Sequence, residues 1–264
     1  DTLEKIAAEK GGIIKNCTPV IISPQQKESV KIVLREKAIT RHAPFYFVED
    51  LISKSSYKFN EKTKRMIVHM ESPIFNRPIE TELQMLGQMQ AQNAAMAALC
   101  VKKVLPNLSE EIIEKGLSNA KLSGRFEIIE NIKDYEGINH LILDGAHTYN
   151  SIRLTIDTLN KLFGDSKVNL LFACAADKDV KDIAKLFKYR FEHIYVTKPG
   201  NKKKADLEAE IQAFSDAQLS FTADSDYKKM IKKAMFESSQ NNVNLLITGS
   251  FYLLAEVKEI LQKL

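Results

Sequence analysis

The second half of the chain alternates short apolar runs with longer stretches whose apolar residues recur at helical spacing. Strict alternation of this kind predicts βαβ units, in which each helix crosses back over the sheet. A mostly parallel sheet with helices on both faces follows, so we expect an α/β domain here. The predicted strands are 126–129, 141–143, 168–173, 194–197, 219–222 and 245–248, and the predicted helices are 152–162, 180–187, 207–213, 227–236 and 252–261.

The first half has a different pattern, which predicts α/β structure that turns to antiparallel β. Gly11-Gly12 end a first helix, and Ser109 is expected to cap the last one, whose first turn is acid-rich. The pattern of apolar residues changes around Ser123-Gly124-Arg125, so we place a domain boundary near Ser123, with domains 1–122 and 123–264. The predicted helices are 1–10, 25–38, 87–104 and 110–117, and the predicted strands are 19–22, 44–48, 57–60, 65–69 and 77–83.

Composition excludes several classes of protein. With 44% hydrophobic and 27% charged residues, 264 residues supply a core for one large or two ordinary globular domains. The net charge of +4 is small, and only Lys202-Lys203-Lys204 form a basic run, so no nucleic-acid partner is predicted. The three cysteines are scattered without CxxC spacing, which argues against a disulfide framework or a zinc site and fits a reducing cytoplasm.

Targeting signals are missing from the sequence as well. No apolar run reaches the roughly 18 residues of a membrane-spanning helix, and nothing at the start resembles a signal peptide, so no membrane association is expected. The chain begins at Asp1, without Met and inside a helical pattern. We therefore expect a fragment whose first part is missing.

One strand-to-helix turn stands out as a candidate site. The apolar run 141–143 ends in Asp144-Gly145-Ala146-His147 before a helical pattern begins. In open α/β sheets, ligands lie beyond the carboxyl ends of strands, and helix N-termini offer N–H groups to phosphates. Asp144 would then hold a sugar hydroxyl and His147 a phosphate, while Gly145 allows close backbone approach. Alternatively, Asp144 only caps the next helix and His147 is an ordinary loop histidine; the turn alone leaves both interpretations open.

The chain contains neither GxxxxGK[ST] nor GxGxxG. A nucleotide site at this turn therefore lacks its usual phosphate-binding loop. Either another segment supplies one, or the site binds something else.

Six short motifs occur in a fixed order from the first residues to the last. Together they resemble the folylpolyglutamate synthase and dihydrofolate synthase family of the Mur ligase superfamily. The resemblance implies that residues 1–122 are the C-terminal part of a P-loop-type central ATPase domain whose P-loop is missing, and that residues 123–264 are a Rossmann-like ligase domain. The motifs are Ile6-Ala7-Ala8-Glu9-Lys10-Gly11-Gly12-Ile13-Ile14-Lys15, Gln90-x-x-Asn93-Ala94, Ser123-Gly124-Arg125-Phe126-Glu127, Leu143-Asp144-Gly145-Ala146-His147, Ala176-Asp177-Lys178-Asp179-Val180 and Thr248-Gly249-Ser250-Phe251-Tyr252-Leu253.

The resemblance also implies an activity. Members of the family use ATP to join a carboxylate to an amine: the γ-phosphate passes to the carboxylate, and the nitrogen of L-glutamate attacks the acyl phosphate. The expected substrates are folate or dihydropteroate, L-glutamate and ATP, with Mg²⁺ bridging the phosphates, and the expected oligomeric state is a monomer. The family's P-loop and histidine metal ligand do not occur in this chain, so we expect the chain alone to be inactive.

Residue roles carry over by position. Lys10 matches a lysine that is carbamylated and helps to hold magnesium in the family; the modification is chemically apt, because magnesium prefers oxygen ligands. Gln90 and Asn93 match residues near the adenine or phosphates. Arg125 resembles a hinge arginine that contacts phosphate, a role that suits a permanently charged guanidinium.

The turn and two further segments complete the carried-over set. Asp144 matches the residue that holds the ribose, and His147 one near the phosphates, where it joins Lys10 as a catalytic candidate. Lys178 and Asp179, which follow strand 168–173, are candidate substrate contacts, with a structural role as the alternative. Ser250 or Thr248 is expected to cap the last helix, and Ser250 also lies on the ligand-binding rim.

Some positions depart from the family pattern. Met89 stands where the family has histidine, Thr148-Tyr149 replaces Asn-Pro, and lysine replaces an arginine near Lys203-Lys204-Ala205. The run from Asp144 to Thr148 also resembles muramyl-peptide ligases, but their Asn-Pro-Arg signature is missing and the motif around Lys10 is of the folate type. A non-catalytic nucleotide-binding module that has lost its P-loop is the competing class.

Overall fold

The computed structural model describes residues 2–60 and 62–263, which form two compact units. The first unit comprises residues up to Gln84 together with Gln88–Ala120, and the second comprises Met85–Gly87 together with residues from Lys121 onward. The predicted boundary near Ser123 lies two residues from Lys121. The short segment 85–87 was expected in the first domain, but Gly87, at a φ of +105°, lies so close to Thr158 of the second unit that a Cβ would be 2.9 Å from its Oγ1.

The first unit contains two small sheets. Strands β1 and β2 pair in parallel, and β3, β4 and β5 form an antiparallel sheet in chain order, as the sequence pattern predicts. Strand β4 buries Met66, Val68 and Met70 in strict alternation, because successive side chains of a strand point to opposite faces. The elements are α1 (Leu3–Lys10), β1 (Val20–Ile22), α2 (Glu28–Thr40), β2 (Phe45–Phe47), α3 (Val48–Leu51), β3 (Lys54–Asn60), β4 (Arg65–Glu71), β5 (Ile79–Leu83), α4 (Gln88–Val104) and α5 (Glu110–Asn119).

Gly11-Gly12 end α1 as predicted: the α-helix stops at Lys10, and Gly11–Ile13 continue as one turn of 3-10 helix. The expectation for Ser109 needs correction. Ser109 occupies the N-cap position of α5, but its hydroxyl makes no capping hydrogen bond. The first turn is held instead by buried Glu110, which pairs with Lys102 at 2.7 Å and accepts the backbone N–H of Asn76 at 3.0 Å. The predicted start of α1 at Asp1 lies outside the described residues.

The second unit is built on a six-stranded sheet in the order β10-β9-β8-β11-β7-β6. Every neighbouring pair is parallel except β6 and β7, which confirms the mostly parallel sheet. The elements are β6 (Glu127–Ile129), β7 (Leu141–Asp144), α6 (Tyr149–Phe163), β8 (Val168–Phe172), α7 (Val180–Lys185), β9 (Ile194–Val196), α8 (Leu207–Asp216), β10 (Thr222–Ala223), α9 (Tyr227–Gln240), β11 (Asn244–Thr248) and α10 (Phe251–Leu261).

The edge strand β10 is shorter and later than predicted. Residues 219–222 were expected to form it, but Leu219 donates its N–H to Phe214 O at 3.1 Å, while Gln218 adopts a φ of +57°. This pattern closes the C-terminal end of α8. The apolar Leu219 therefore belongs to the helix end, and pairing with β9 begins only at Thr222.

The strand order creates a crevice at the carboxyl ends of two neighbouring strands, β7 and β11. The connection from β7 to β8 and the connection from β10 to β11 run in opposite directions along the sheet, so right-handed crossovers place α6 and α9 on opposite faces. Helix α10 packs with α9, as Leu254 and Met230 share one buried cluster. The chain thus leaves the adjacent strands β7 and β11 toward opposite faces, which is where open α/β sheets bind ligands.

No helix in the part of the chain that the structure describes has the length and apolar character needed to cross a membrane.

Candidate functional site

Asp144, the last residue of β7, lies at this crevice. Its Oδ1 accepts the N–H of Ala146 at 3.1 Å, and its Oδ2 accepts the hydroxyl of Thr155 at 2.9 Å. Helix α6 is capped by other residues: Thr148 Oγ1 accepts the N–H of Ser151 at 3.3 Å, and Ser151 Oγ accepts the N–H of Thr148 at 3.0 Å. The alternative in which Asp144 serves only as the helix cap is therefore wrong.

The environment of Asp144 alters its ionisation. Burial raises the pKa of Asp144 to about 6, while the hydrogen bonds from Thr155 and Ala146 and the charge of Arg125 act in the opposite direction. The carboxyl group is thus mostly ionised at neutral pH. The ionised carboxylate is a hydrogen-bond acceptor at the end of β7. The two groups that donate to it, the Ala146 N–H and the Thr155 hydroxyl, belong to the turn and the helix that follow β7.

Gly145 is required by close packing. Its N–H donates to Gly124 O at 2.8 Å, which ties the turn to the segment before β6. A Cβ on Gly145 would lie 2.3 Å from Phe251 Cζ, and a Cβ on Gly124, whose φ is +71°, would lie 2.8 Å from Leu254 Cδ1. Three segments that are distant in sequence therefore meet where neither glycine can carry a side chain without displacement.

Arg125 and His147 flank the same turn. The guanidinium carbon of Arg125 lies 4.8 Å from the centre of the Phe251 ring. His147 Nδ1 lies 2.8 Å from Gly145 O, and because a carbonyl only accepts, Nδ1 carries the proton. In the neutral imidazole, Nε2 is then the acceptor available to an external group.

The start of α10 forms the other wall of the crevice. Ser250 Oγ accepts the N–H of Tyr252 at 3.1 Å, so Ser250 is the predicted cap of this helix. Thr248 Oγ1 and Gly249 N both donate to Ala146 O, at 3.3 and 2.8 Å. Residues of β11 and of the Asp144 turn are thereby held in one arrangement.

In the segment after β8, the two candidate substrate contacts, Lys178 and Asp179, have structural roles. Lys178 Nζ pairs with Asp177 at 3.2 Å, and Asp179 Oδ1 accepts the N–H of Asp182 at 3.4 Å, which caps α7. Their contact with a substrate stays a prediction, as does that of Ser250.

The remaining candidates lie in the first unit. Asn93 Nδ2 donates to Gln90 Oε1 at 3.2 Å, which places both side chains together near the start of α4. Lys10 is 74% exposed at its side chain, and its Nζ lies 3.0 Å from Glu9 Oε1. An ammonium group is no magnesium ligand, and within residues 2–60 and 62–263 no three His, Cys, Asp or Glu side chains are grouped to hold a metal ion. The described residues, with Lys10 unmodified, do not fit a magnesium site.

Comparison with known proteins agrees with this geometry. The family model for the Mur ligase glutamate ligase domain matches residues 124–251, which include the Asp144 turn and the start of α10. The dihydrofolate synthase/folylpolyglutamate synthase of Bacillus subtilis is 26% identical over 271 residues, which cover 99% of this chain and 59% of that protein. Residues 124–251 thus match a Mur ligase domain, and almost the whole chain is similar to a member of the folylpolyglutamate synthase and dihydrofolate synthase family.

Further relatives extend the comparison. The folylpolyglutamate synthase of Lacticaseibacillus casei is 25% identical over 98% of this chain and 58% of its own length. The crystal structure of the folylpolyglutamate synthase of Thermotoga maritima superimposes with a TM-score of 0.76 at 26% identity, over 99% of this chain and 58% of that one. The Mycobacterium tuberculosis enzyme complexed with ADP and AMPPCP shares the fold, with a TM-score of 0.80 at 20% identity and coverage of 99% and 60%. This chain thus spans less than two thirds of the length of these relatives.

The sequence-based predictions missed one buried polar group. Glu210 is 2% exposed; its Oε1 accepts the N–H of Cys174 at 3.4 Å, and its Oε2 has no hydrogen-bond partner among the described residues. Burial raises the pKa of Glu210 to about 8 and also raises the pKa of the Cys174 thiol. A signal existed: Glu210 falls between Leu207 and Phe214 on the apolar stripe of α8, where a charged residue is unexpected.

Proposed function

We propose that this chain is part of an ATP-dependent ligase that joins the carboxylate of folate or dihydropteroate to L-glutamate. The observation that carries this proposal is the turn from Asp144 to His147, which lies at the carboxyl end of β7 beside β11 with Arg125 next to it. Similarity to relatives that carry these names supports the choice of substrates.

Asp144, Arg125 and His147 have roles in binding ATP. The ionised carboxylate of Asp144 accepts a ribose hydroxyl. Arg125 directs several N–H donors to phosphate oxygens, and the imidazolium form of His147, in which both ring nitrogens carry a proton, donates from Nε2 to the same group. Gln90 and Asn93 act near the adenine or phosphates.

The reaction proceeds in two steps. An oxygen of the folate carboxylate attacks the γ-phosphorus, the bond to the β-phosphate oxygen breaks, and ADP leaves. The glutamate nitrogen then attacks the carbonyl carbon of the acyl phosphate, loses a proton and displaces phosphate. Arg125 contributes by stabilising the negative charge on the phosphate oxygens as it redistributes.

Lys10 has a separate proposed role. Carbamylation would replace its exposed ammonium with an anionic group whose oxygens suit magnesium. Intact-mass analysis of the protein in bicarbonate tests the modification directly, and Lys10→Arg, which cannot be carbamylated, is the control. An unmodified Lys10 in a fully active protein would remove this role.

We also propose that residues 1–122 belong to a P-loop-type ATPase domain and that the 264-residue chain does not turn over alone, because it contains no GxxxxGK[ST]. The natural protein that contains this chain should then ligate glutamate to dihydropteroate or tetrahydrofolate with release of phosphate, and the isolated chain should not. Phosphate release by the isolated chain in a folate- and glutamate-dependent assay would contradict this part.

The same assay separates the alternatives. Activity with a muramyl peptide and failure with both pterins would indicate a muramyl-peptide ligase. ATP binding without any ligation would indicate a non-catalytic module. Within the natural protein, Asp144→Ala should reduce kcat/KM for ATP about a hundredfold. Asp157→Ala is the matched control, because the Asp157 side chain on α6 is 47% exposed and pairs only with Arg153 among the contacts described.

A further inference from the structure

Phe251, the first residue of α10, has an unusual environment for a large aromatic residue. It is 38% exposed and does not belong to the buried cluster that contains its neighbours Leu253 and Leu254. Its ring instead lies against the backbone of Gly145 and Gly124, where added Cβ atoms would be 2.3 and 3.2 Å away. The ring therefore contributes little to the core and lies at the turn from Asp144 to His147, where the nucleotide is proposed to bind.

The two glycines hold this ring in position. Because neither glycine has a side chain, the ring sits directly on two backbone segments that are themselves joined by the hydrogen bond from Gly145 N to Gly124 O at 2.8 Å. A side chain packed this closely has few alternative rotamers. Phe251 is thus a rigid aromatic surface rather than a mobile ring.

Arg125 rests on that surface. Its guanidinium carbon is 4.8 Å from the ring centre, within the range of a cation–π interaction. An arginine has several rotatable bonds, so a half-exposed guanidinium without such support samples many positions. Contact through the face leaves the N–H donors, which lie in the plane of the guanidinium, available for oxygens of a ligand.

We propose that Phe251 is a positioning residue that holds the Arg125 guanidinium ready to bind the phosphates of the nucleotide. The inference rests on the proposed ATP site. Phe251 also faces the His147 ring, with 6.4 Å between the ring centres, and its support of Arg125 should grow in importance with the phosphate groups of the ligand and disappear for a nucleoside without them.

A first experiment tests the contact itself. In the NMR spectrum of the 264-residue chain, the Arg125 Hε resonance, assigned with Arg125→Lys, should be displaced by the ring current of Phe251. The displacement should vanish in Phe251→Leu and persist in Phe251→Tyr, which restores an aromatic ring. Tyr252→Leu is the matched control, because Tyr252 is the next residue of α10 and is 45% exposed. An undisplaced Arg125 resonance in the unsubstituted chain would overturn the inference.

A second experiment tests the consequence for nucleotide binding in the natural protein that contains this chain, with ATP, ADP and adenosine as titrants. Phe251→Leu should weaken ATP and ADP binding about tenfold and leave adenosine binding unchanged, whereas Tyr252→Leu should change none of them. In an Arg125→Ala background, Phe251→Leu should have no further effect, since the two residues act as a unit. An equal loss for adenosine, or additive losses in the double variant, would contradict the inference.

The two experiments also separate this inference from the proposed function. If the unsubstituted natural protein binds none of the three titrants, the proposed ATP site fails, and with it the phosphate role of Phe251. If ATP binds but Phe251→Leu changes nothing, the ATP site stands and the inference is wrong.

Discussion

Glu210 shows how one residue can make stability depend on pH. Its pKa is raised to about 8 in the folded chain, against an ordinary value of 4.5. Between these values the folded state keeps a proton that the unfolded state releases, so the free energy of unfolding is highest below the unfolded pKa and falls as pH rises through the folded pKa. The fall is about 1.4 kcal/mol for each pH unit in this window.

Glu210→Gln should remove that dependence, since an amide does not ionise. We expect the variant to unfold at higher urea concentration than the parent at pH 9 and at a similar concentration at pH 5, with the transition of the second unit followed by circular dichroism. Glu208→Gln, on the exposed side of α8, is the control and should leave the pH profile unchanged. Parallel profiles for Glu210→Gln and the parent would show that Glu210 is not protonated in the fold.

Asp144 should impose a pH dependence of opposite sense on ATP binding. Its pKa is raised to about 6, and only the ionised carboxyl is purely an acceptor for a ribose hydroxyl. Affinity should therefore rise between pH 5 and pH 7. Thr155→Val removes the hydroxyl that donates to Asp144 Oδ2, so the midpoint should move to higher pH. The Asp144→Asn variant should bind ATP weakly, and its affinity should not rise between pH 5 and pH 7. If its affinity rises as in the parent, groups other than Asp144 cause the pH dependence.

At the scale of secondary-structure elements, helix α6 depends on its capping box. Thr148 and Ser151 exchange hydrogen bonds between side chain and backbone, and Ser151 Oγ also accepts the N–H of His147 at 3.1 Å. Thr148→Ala should lower the free energy of unfolding by about 1 kcal/mol, measured by urea denaturation. Thr148→Ser keeps the hydroxyl and should lose much less. Equal losses for the two variants would show that the methyl group, and not the cap, matters.

The elements also show which sequence signals were sufficient. Helix α6 and strand β7 were predicted closely, because apolar periodicity and a following turn are local properties. Strand β10 was misplaced, since an apolar residue after a helix also serves to close that helix. Ser109 matched the preference for a cap, but buried Glu110 and its partner Lys102 organise that end of α5.

At the scale of the whole molecule, the second unit has its own core. Its buried cluster joins β7, β8 and β11 to α9 and α10. A polypeptide of residues 121–264 should therefore fold cooperatively, with some loss of stability because Met85–Gly87, which belong to this unit, are missing. Urea denaturation followed by circular dichroism and by dispersion of NMR signals tests this. A fragment without a cooperative transition would show that the missing segment is essential.

Some residues of the candidate site can be recognised from local sequence, whereas their surroundings depend on the tertiary structure. Asp144, Gly145 and His147 could be selected from sequence because a strand, a glycine and a helix start are adjacent in the chain. The surroundings of the turn could not: Gly249 lies against Ala146, and Phe251 against Gly145, across about a hundred residues. The roles of Lys10, Gln90 and Asn93 rest on their motifs and stay predictions.

The sequence by itself determined that the second half alternates strands and helices, that its sheet is mostly parallel and that a strand-to-helix turn with Asp144 and His147 follows β7, because each depends on periodicity within a few residues. Only the tertiary structure decided that β11 lies between β7 and β8, that residues 85–87 join the second unit, and that Glu210 lies buried beside Cys174. These depend on which distant surfaces pack together, and a hydrophobic pattern specifies that a face is buried without specifying its partner.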